Sequence, residues 1–266
     1  MDKNTLKNYL EDGLTHREID TLVGKGKSTI GYWINQHDLK DSQQYKKPIY
    51  RDVDYFNKID TKEKAYILGF ILGDGCIGEK DVDITIALSD IEILEFIKSE
   101  LNCNINISKA LNKKKKQYPN ASIHIGNKTI LRDLIRLSGG YNKEDRHIPF
   151  VSPKYERYLL QGFFDAEGCI TWGRRKDRNR IWQKISFTSQ YKMLEGIQNI
   201  LYKKGIASKI KPKSDSSKCF VIEFANKNDV LAFLDIIYPN DEFIVLKRKY
   251  KNAQALRLEL GEFGES

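Results

Sequence analysis

Tyr66-Ile-Leu-Gly-Phe-Ile-Leu-Gly-Asp-Gly-Cys-Ile77 decides the reading of this chain, because it returns 93 residues later as Leu159-Leu-Gln-Gly-Phe-Phe-Asp-Ala-Glu-Gly-Cys-Ile170. Five of the twelve positions are identical: Gly69/Gly162, Phe70/Phe163, Gly75/Gly168, Cys76/Cys169 and Ile77/Ile170. Asp74 falls on Glu167, so each copy ends in an acid followed by glycine. A long-range repeat of this kind implies a pseudo-dimer in one chain. One carboxylate per half suits a substrate with its own two-fold symmetry, and duplex DNA is such a substrate.

Small residues recur four apart in each copy, Gly69 and Gly73 in the first, Gly162 and Ala166 in the second. That spacing lets two helix backbones approach closely. A glycine inside a helix costs about 1 kcal/mol relative to alanine, and bearing that cost at matched positions points to a packing reason. Close packing sets the two helix ends, and the two acids, side by side. An acid at a helix C-terminus is disfavoured by the helix dipole and here by its twin. A divalent cation relieves both, and carboxylates with water and a phosphate oxygen make the ligand set Mg²⁺ takes.

Outward from the motifs, each half reads the same way. Alternating segments Val82–Leu88 and Ile181–Phe187 read as strands. Amphipathic helices are expected over Ile91–Leu101 and Met193–Lys203. Further strands are expected at Ile105–Leu111 with Ala121–Gly126, and at Ala207–Lys211 with Cys219–Phe224. Closing helices follow at Lys128–Leu137 and Lys227–Tyr238. The order is αββαββα twice, an α+β fold, over residues 61–150 and 151–260.

Residues 1–40 read as a separate all-α unit, with a short helix at Leu6–Leu10. A second helix opens on a capping box, Thr15 with Glu18, and Gly24-Lys25-Gly26-Lys27 breaks it. A third, from Ser28 to His37, is expected to be capped by Ser28 or Thr29, with Ile30, Trp33 and Ile34 on its apolar face. Two short helices about a glycine turn fit the helix-turn-helix pattern of DNA-binding modules, which places Ser28, Thr29 and Tyr32 toward a major groove. The unit carries six basic and six acidic residues, so it is not expected to hold DNA tightly alone. Residues 41–60 read as a linker.

The net charge is +9, and its place matters more than its size. Between Thr171 and Lys213 twelve Lys or Arg face two acids, which leaves the rest of the chain near neutral. A one-sided basic stretch points to a polyanion, and the composition favours nucleic acid over membrane. No apolar run is long enough to span a bilayer, and the N-terminus does not read as a signal peptide. The four cysteines form no C-x-x-C pair, so zinc is not expected and an intracellular setting is. Cys76 and Cys169 are expected as small buried strand residues.

Both segments resemble the LAGLIDADG motif of the homing endonucleases, and two motifs in one chain resemble the family's monomeric members. The resemblance covers about residues 61–258. It implies a saddle of strands over the DNA major groove, a long asymmetric target, and Mg²⁺-dependent double-strand cleavage with staggered 3′ overhangs. The family's acid falls on Asp74 and Glu167, and the metal site it implies takes in the residues just before them, Gly73 and Ala166. Asp165 keeps the acid two places earlier, where Leu72 stands in the first copy. A polar residue after the second strand falls on Gln190 and Asp90, and a lysine after the closing helix on Lys247. In the first half that lysine has no clean match, with Lys143 and Arg146 as candidates. DNA contacts are expected from Trp172, Arg174, Arg175, Arg178, Arg180 and Lys184, from Lys209 and Lys211, and, on phosphates, from Lys113 and Lys114. An RNA maturase that assists intron splicing, or a catalytically inactive DNA-binding regulator, could use the same fold.

Overall fold

Two separate hydrophobic cores form from this sequence. In the computed structural model, which describes residues 1–12, 14–40, 48–110, 119–175, 180–214, 218–239, 243 and 246–262, the chain divides into Met1–Ile49 and Tyr50–Ser266. The smaller unit holds α1 (Lys3–Glu11), α2 (His16–Val23) and α3 (Lys27–Gln36). Leu6, Leu10, Ile19, Ile30, Ile34 and Leu39 form its core, with Trp33 partly buried beside them. The capping box at Thr15 and Glu18 is present, and α2 ends on left-handed Gly24. The start of α3 differs from expectation. Its N-cap is Gly26, with no side-chain cap bond, so Ser28 and Thr29 lie inside the helix.

The segment read as a linker is in part structure of the larger unit. Tyr50 bridges to Cys103, and Tyr55 and Phe56 are buried in the main core. Their aromatic surface outweighs the polar residues around them, on which the linker expectation rests.

The larger unit then runs through the αββαββα order twice. The first half comprises α4 (Lys62–Asp74), β1 (Gly75–Ile77), β2 (Val82–Ala87), α5 (Glu92–Glu100), β3 (Ile107–Ala110), β4 (Asn120–Ile125) and α6 (Lys128–Ser138). The second comprises α7 (Pro153–Glu167), β5 (Gly168–Arg175), β6 (Arg180–Ser189), α8 (Tyr191–Lys203), β7 (Lys209–Pro212), β8 (Phe220–Phe224) and α9 (Lys227–Ile237). A further helix, α10 (Lys247–Glu262), lies outside the expected order. The two sheets are antiparallel and repeat one order, β1-β2-β4-β3 and β5-β6-β8-β7. Local chemistry repeats too. Asn127 caps α6 by accepting from the amides of Thr129 and Ile130, and Asn226 caps α9 by accepting from Asn228 and Asp229. Strand alternation gives each sheet a face packed on the helices and an open face. On β2, Val82, Ile84 and Ile86 are buried while Asp83, Thr85 and Ala87 are exposed.

Helices α4 and α7 form the centre of the unit, and the matched glycines explain their approach. A Cβ on Gly69 would stand 2.1 Å from the Leu159 carbonyl oxygen, and one on Gly162 would stand 2.0 Å from that of Tyr66. Backbone cannot yield as a side chain can, so even alanine would force the helices apart. One turn on, a Cβ on Gly73 would meet Ala166 Cβ at 2.4 Å and Glu167 Cγ at 3.2 Å.

Candidate metal and nucleic-acid site

The close pair delivers both acids to one place. Asp74 is the last residue of α4 and Glu167 the last of α7. Asp74 reaches solvent and Glu167 is half-buried. Although Asp74 reaches solvent, the protein packed around it raises its carboxyl above the usual range by burial. Burial also raises Glu167, and next in size is the charge of Asp74. The two acids are thus near neighbours, and Lys249 and Lys143 pull both back down. The carbonyls of Gly73 and Ala166 belong to the last helical turns, where backbone oxygens lack intrahelical partners.

Behind the acids lies a buried polar group spanning both repeats. Asp165 is 2% exposed and accepts hydrogen bonds from the hydroxyls of Tyr66 (2.7 Å) and Tyr238. Burial pushes its carboxyl up to about 6, against the lowering effect of both hydroxyls and of Lys249. The Lys249 ammonium is itself buried and pushed down to about 8. It donates to the carbonyls of Phe164 (2.5 Å), Asp165 (2.8 Å) and Gly168 (2.6 Å).

The remaining expected site residues divide. Gln190, Glu167, Lys143 and Arg146 line one cavity beside the acids. Asp90 is close enough to raise the Asp74 pKa, but its own oxygens are occupied by Arg248 at 2.9–3.0 Å. Lys247 is turned away, with its ammonium 2.7 Å from Glu92. Lys249, two places on, does act on both acids, as Lys143 does. It faces inward with Leu246, just before α10, and with Ala253, Leu256 and Leu260 along the buried side of that helix. The helical spacing of these residues was a readable signal, obscured by the charges between them.

On β5 the side chains alternate between faces. Thr171, Gly173 and Arg175 lie on the open face with Lys184, their partner across the hairpin being β6. Trp172 and Arg174 lie on the helix-backed face. Trp172 donates to Asn252 (2.8 Å), and Arg174 to Glu259 (2.8 Å), both on α10. Alternation thus turns these two toward α10 rather than onto the open face. Lys184 bonds Glu223 at 2.8 Å, and Lys209 and Lys211 on β7 are exposed on the same open face. Trp182, which sequence reasoning missed, joins them. It is 44% exposed, packed over Gly173, where a Cβ would stand 2.9 Å from its Nε1. Its position between Ile181 and the Lys184–Ile185 step, one residue out of the buried phase, was the signal. Lys113, Lys114 and Arg178 lie outside the described residues, as does the side chain of Arg180.

The first sheet's open face has different chemistry. Cys76, Asp83 and His124 form one row across it, with His124 Nδ1 2.9 Å from Asp83 and Nε2 3.9 Å from Asp81. Both Cys76 and Cys169 are exposed, contrary to expectation, because buried Ile77 and Ile170 take the core phase of each strand. In the smaller unit Ser28 and Tyr32 are exposed on α3, and Thr29 is half-buried.

Residues 154–238 match the LAGLIDADG-like domain family. An uncharacterised protein of Methanocaldococcus jannaschii is 31% identical over 91 residues, a match spanning 34% of each chain. Among solved structures, the LAGLIDADG meganuclease I-AabMI, bound to uncleaved DNA, superposes with a TM-score of 0.52 at 15% identity, covering 77% of this chain and 91% of that one. The I-LtrWI LAGLIDADG homing endonuclease, bound to target DNA, gives 0.53 at 12% identity, covering 79% and 91%. The two sheets and central helix pair are the LAGLIDADG saddle fold.

Proposed function

We propose that the chain is a site-specific, metal-dependent endonuclease of homing type that makes a staggered cut in duplex DNA. One observation carries the reading: two carboxylates from two copies of one motif stand together at the ends of a glycine-packed helix pair, between two like sheets.

The donor set fits hard divalent cations. The charge of Asp74 raises the cost of ionising Glu167, both acids stand at the negative ends of helices, and the carbonyls of Gly73 and Ala166 are adjacent oxygen donors. Mg²⁺ held there would activate water and stabilise the leaving oxygen of a phosphodiester. The chain's own groups do the rest. Gln190 and Lys143 flank Glu167, in position to hold water and to steady charge developing on a phosphate. The open face of the second sheet, with Arg175, Lys184, Lys209, Lys211 and Trp182, binds the phosphates and base edges of one half-site. The first sheet, with Asp83, Thr85, Ser122 and His124 on its open face, meets the other half-site. The smaller unit adds contacts through Ser28, Thr29 and Tyr32. The described open-face residues differ between the two sheets, which supports an asymmetric target.

The test selects a site from a randomised duplex library by wild-type cleavage, then measures cutting and binding of that site by Asp74→Asn and Glu167→Gln. Each variant should lose more than about a hundredfold in cutting, above the range for residues that only support a metal ligand. Each should still bind DNA in Ca²⁺. Cutting at the wild-type rate by either variant would remove that acid from the reaction.

A further inference from the structure

We propose that Lys249 and Arg146 are a matched pair of positioning residues, each a buried cation that clamps the acid-glycine turn of one repeat and so aims Glu167 or Asp74. The inference rests on the reading of those acids as metal ligands. Lys249 donates to the carbonyl of Gly168 at 2.6 Å, and Arg146 to that of Gly75 at 3.0 Å. Gly75 and Gly168 are equivalent in the repeat, each directly following the acid. The repeat offset does not pair the two cations. They differ in type, and they lie 103 residues apart rather than 93, on α10 and in the loop after α6. Only the shared carbonyl makes them counterparts.

Each clamp is multivalent. Lys249 also holds Phe164 and Asp165, so its three bonds bracket Ala166 and Glu167 on both sides. Arg146 also holds Ile77 (3.1 Å) and Tyr141 (2.8 Å), tying β1 and the loop after α6 to the turn. An ammonium has three protons, and all three of Lys249's have a carbonyl to go to, which leaves none for water or substrate. Its role is therefore to hold backbone rather than to react. Both cations are almost wholly buried, Arg146 at 3% and Lys249 at 7% exposure. Charge-assisted bonds at the negative end of a helix offset the loss of hydration, and they hold the backbone more tightly than neutral ones.

The test uses the full chain and reads metal binding directly, by time-resolved luminescence of Tb³⁺ as a Mg²⁺ surrogate, alongside cleavage and thermal melting. Asp74→Asn and Glu167→Gln define the signal from the acid pair. Lys249→Met and Arg146→Met should weaken Tb³⁺ binding about tenfold, the scale on which support of a ligand acts. The Mg²⁺ concentration for half-maximal cutting should rise in step, with the maximal rate largely restored at high Mg²⁺. Lys249→Arg and Arg146→Lys, which keep the charge, should recover most of the affinity. If a methionine variant does not fold, Lys249→Gln, which keeps two N–H donors without the charge, should show an intermediate loss. Unchanged Tb³⁺ affinity in folded clamp variants, with affinity lost in the acid variants, overturns the clamp alone. A fall in maximal rate at unaltered metal affinity makes Lys249 a reacting group and also overturns it. Unchanged Tb³⁺ affinity in the acid variants overturns the metal reading and the clamp together.

Discussion

At the scale of single residues, burial decides chemistry that residue type leaves open. Asp165 and Glu167 are two places apart on one helix, yet one faces the core and the other the cavity. The sequence showed the acid at 165 but not its partners, since Tyr66 lies 99 positions away and Tyr238 lies 73. The shift of Asp165 to about 6, from about 3.9 in an unfolded chain, makes stability depend on pH. Below about pH 4 the carboxyl is neutral in both states and its contribution to stability is fully present. As pH rises through 6 the folded protein must ionise a buried group that the unfolded chain has already ionised, and that contribution is lost. Lys249, lowered to about 8, slopes the other way, but its contribution is lost only as pH falls from the unfolded lysine value through 8, outside this window. Asp74 and Glu167 share the sign of Asp165, so the comparison that isolates it is with Asp165→Asn. Chemical denaturation between pH 4 and 7 should show wild type losing more stability than the variant as pH rises. Parallel curves would mean that Asp165 does not titrate in this range.

Among the elements, a period-two pattern separates side chains that a tally of basic residues runs together. The helices and strands were legible because apolar spacing and acid-glycine ends repeat along the chain. The face of each strand side chain was legible too, since Ile170 and Ile185 mark the core phase, but charge alone groups Trp172 and Arg174 with Arg175. Helix α10 escaped because its apolar positions are diluted by ten other residues, many charged. Alternation makes a sharp prediction. Arg175→Ala, Lys209→Ala and Lys211→Ala together should flatten the dependence of log affinity on log salt, by roughly 0.9 for each phosphate no longer neutralised. Arg174→Ala removes the same charge from the same strand, but on the side bonded to Glu259, and should leave the slope nearly unchanged. Equal effects from Arg174 and Arg175 would show that the nucleic acid does not follow the open face.

For the whole molecule, the repeat made the two-fold plan of the larger unit readable before any coordinates, whereas the extent of that unit was misread. Polar residues at 41–47 and Pro48 suggested a linker running to residue 60. Tyr55 and Phe56 lie within that span, yet they belong to the main core, and Arg136 donates to the carbonyls of both Phe56 and Asn57. Long-range packing of this kind leaves no local periodicity to read. The smaller unit, by contrast, buries its own six apolar residues in a core of its own. Two truncations therefore have opposite outcomes. A chain starting at Pro48 keeps every residue of the larger core. It should melt cooperatively, cut DNA, and lose only the binding made by α3, worth about 1–3 kcal/mol if it resembles one bidentate base pairing. A chain starting at Thr61 loses two buried aromatic rings, and each such loss costs about 3–5 kcal/mol. Against a total stability of about 5–15 kcal/mol, it should be largely unfolded or melt far lower. Circular dichroism melts of the two truncations, with footprints of the first on the selected site, decide the matter. Equal melting temperatures would return residues 50–60 to the status of a tether, and an unshortened footprint would leave the smaller unit without a part in recognition.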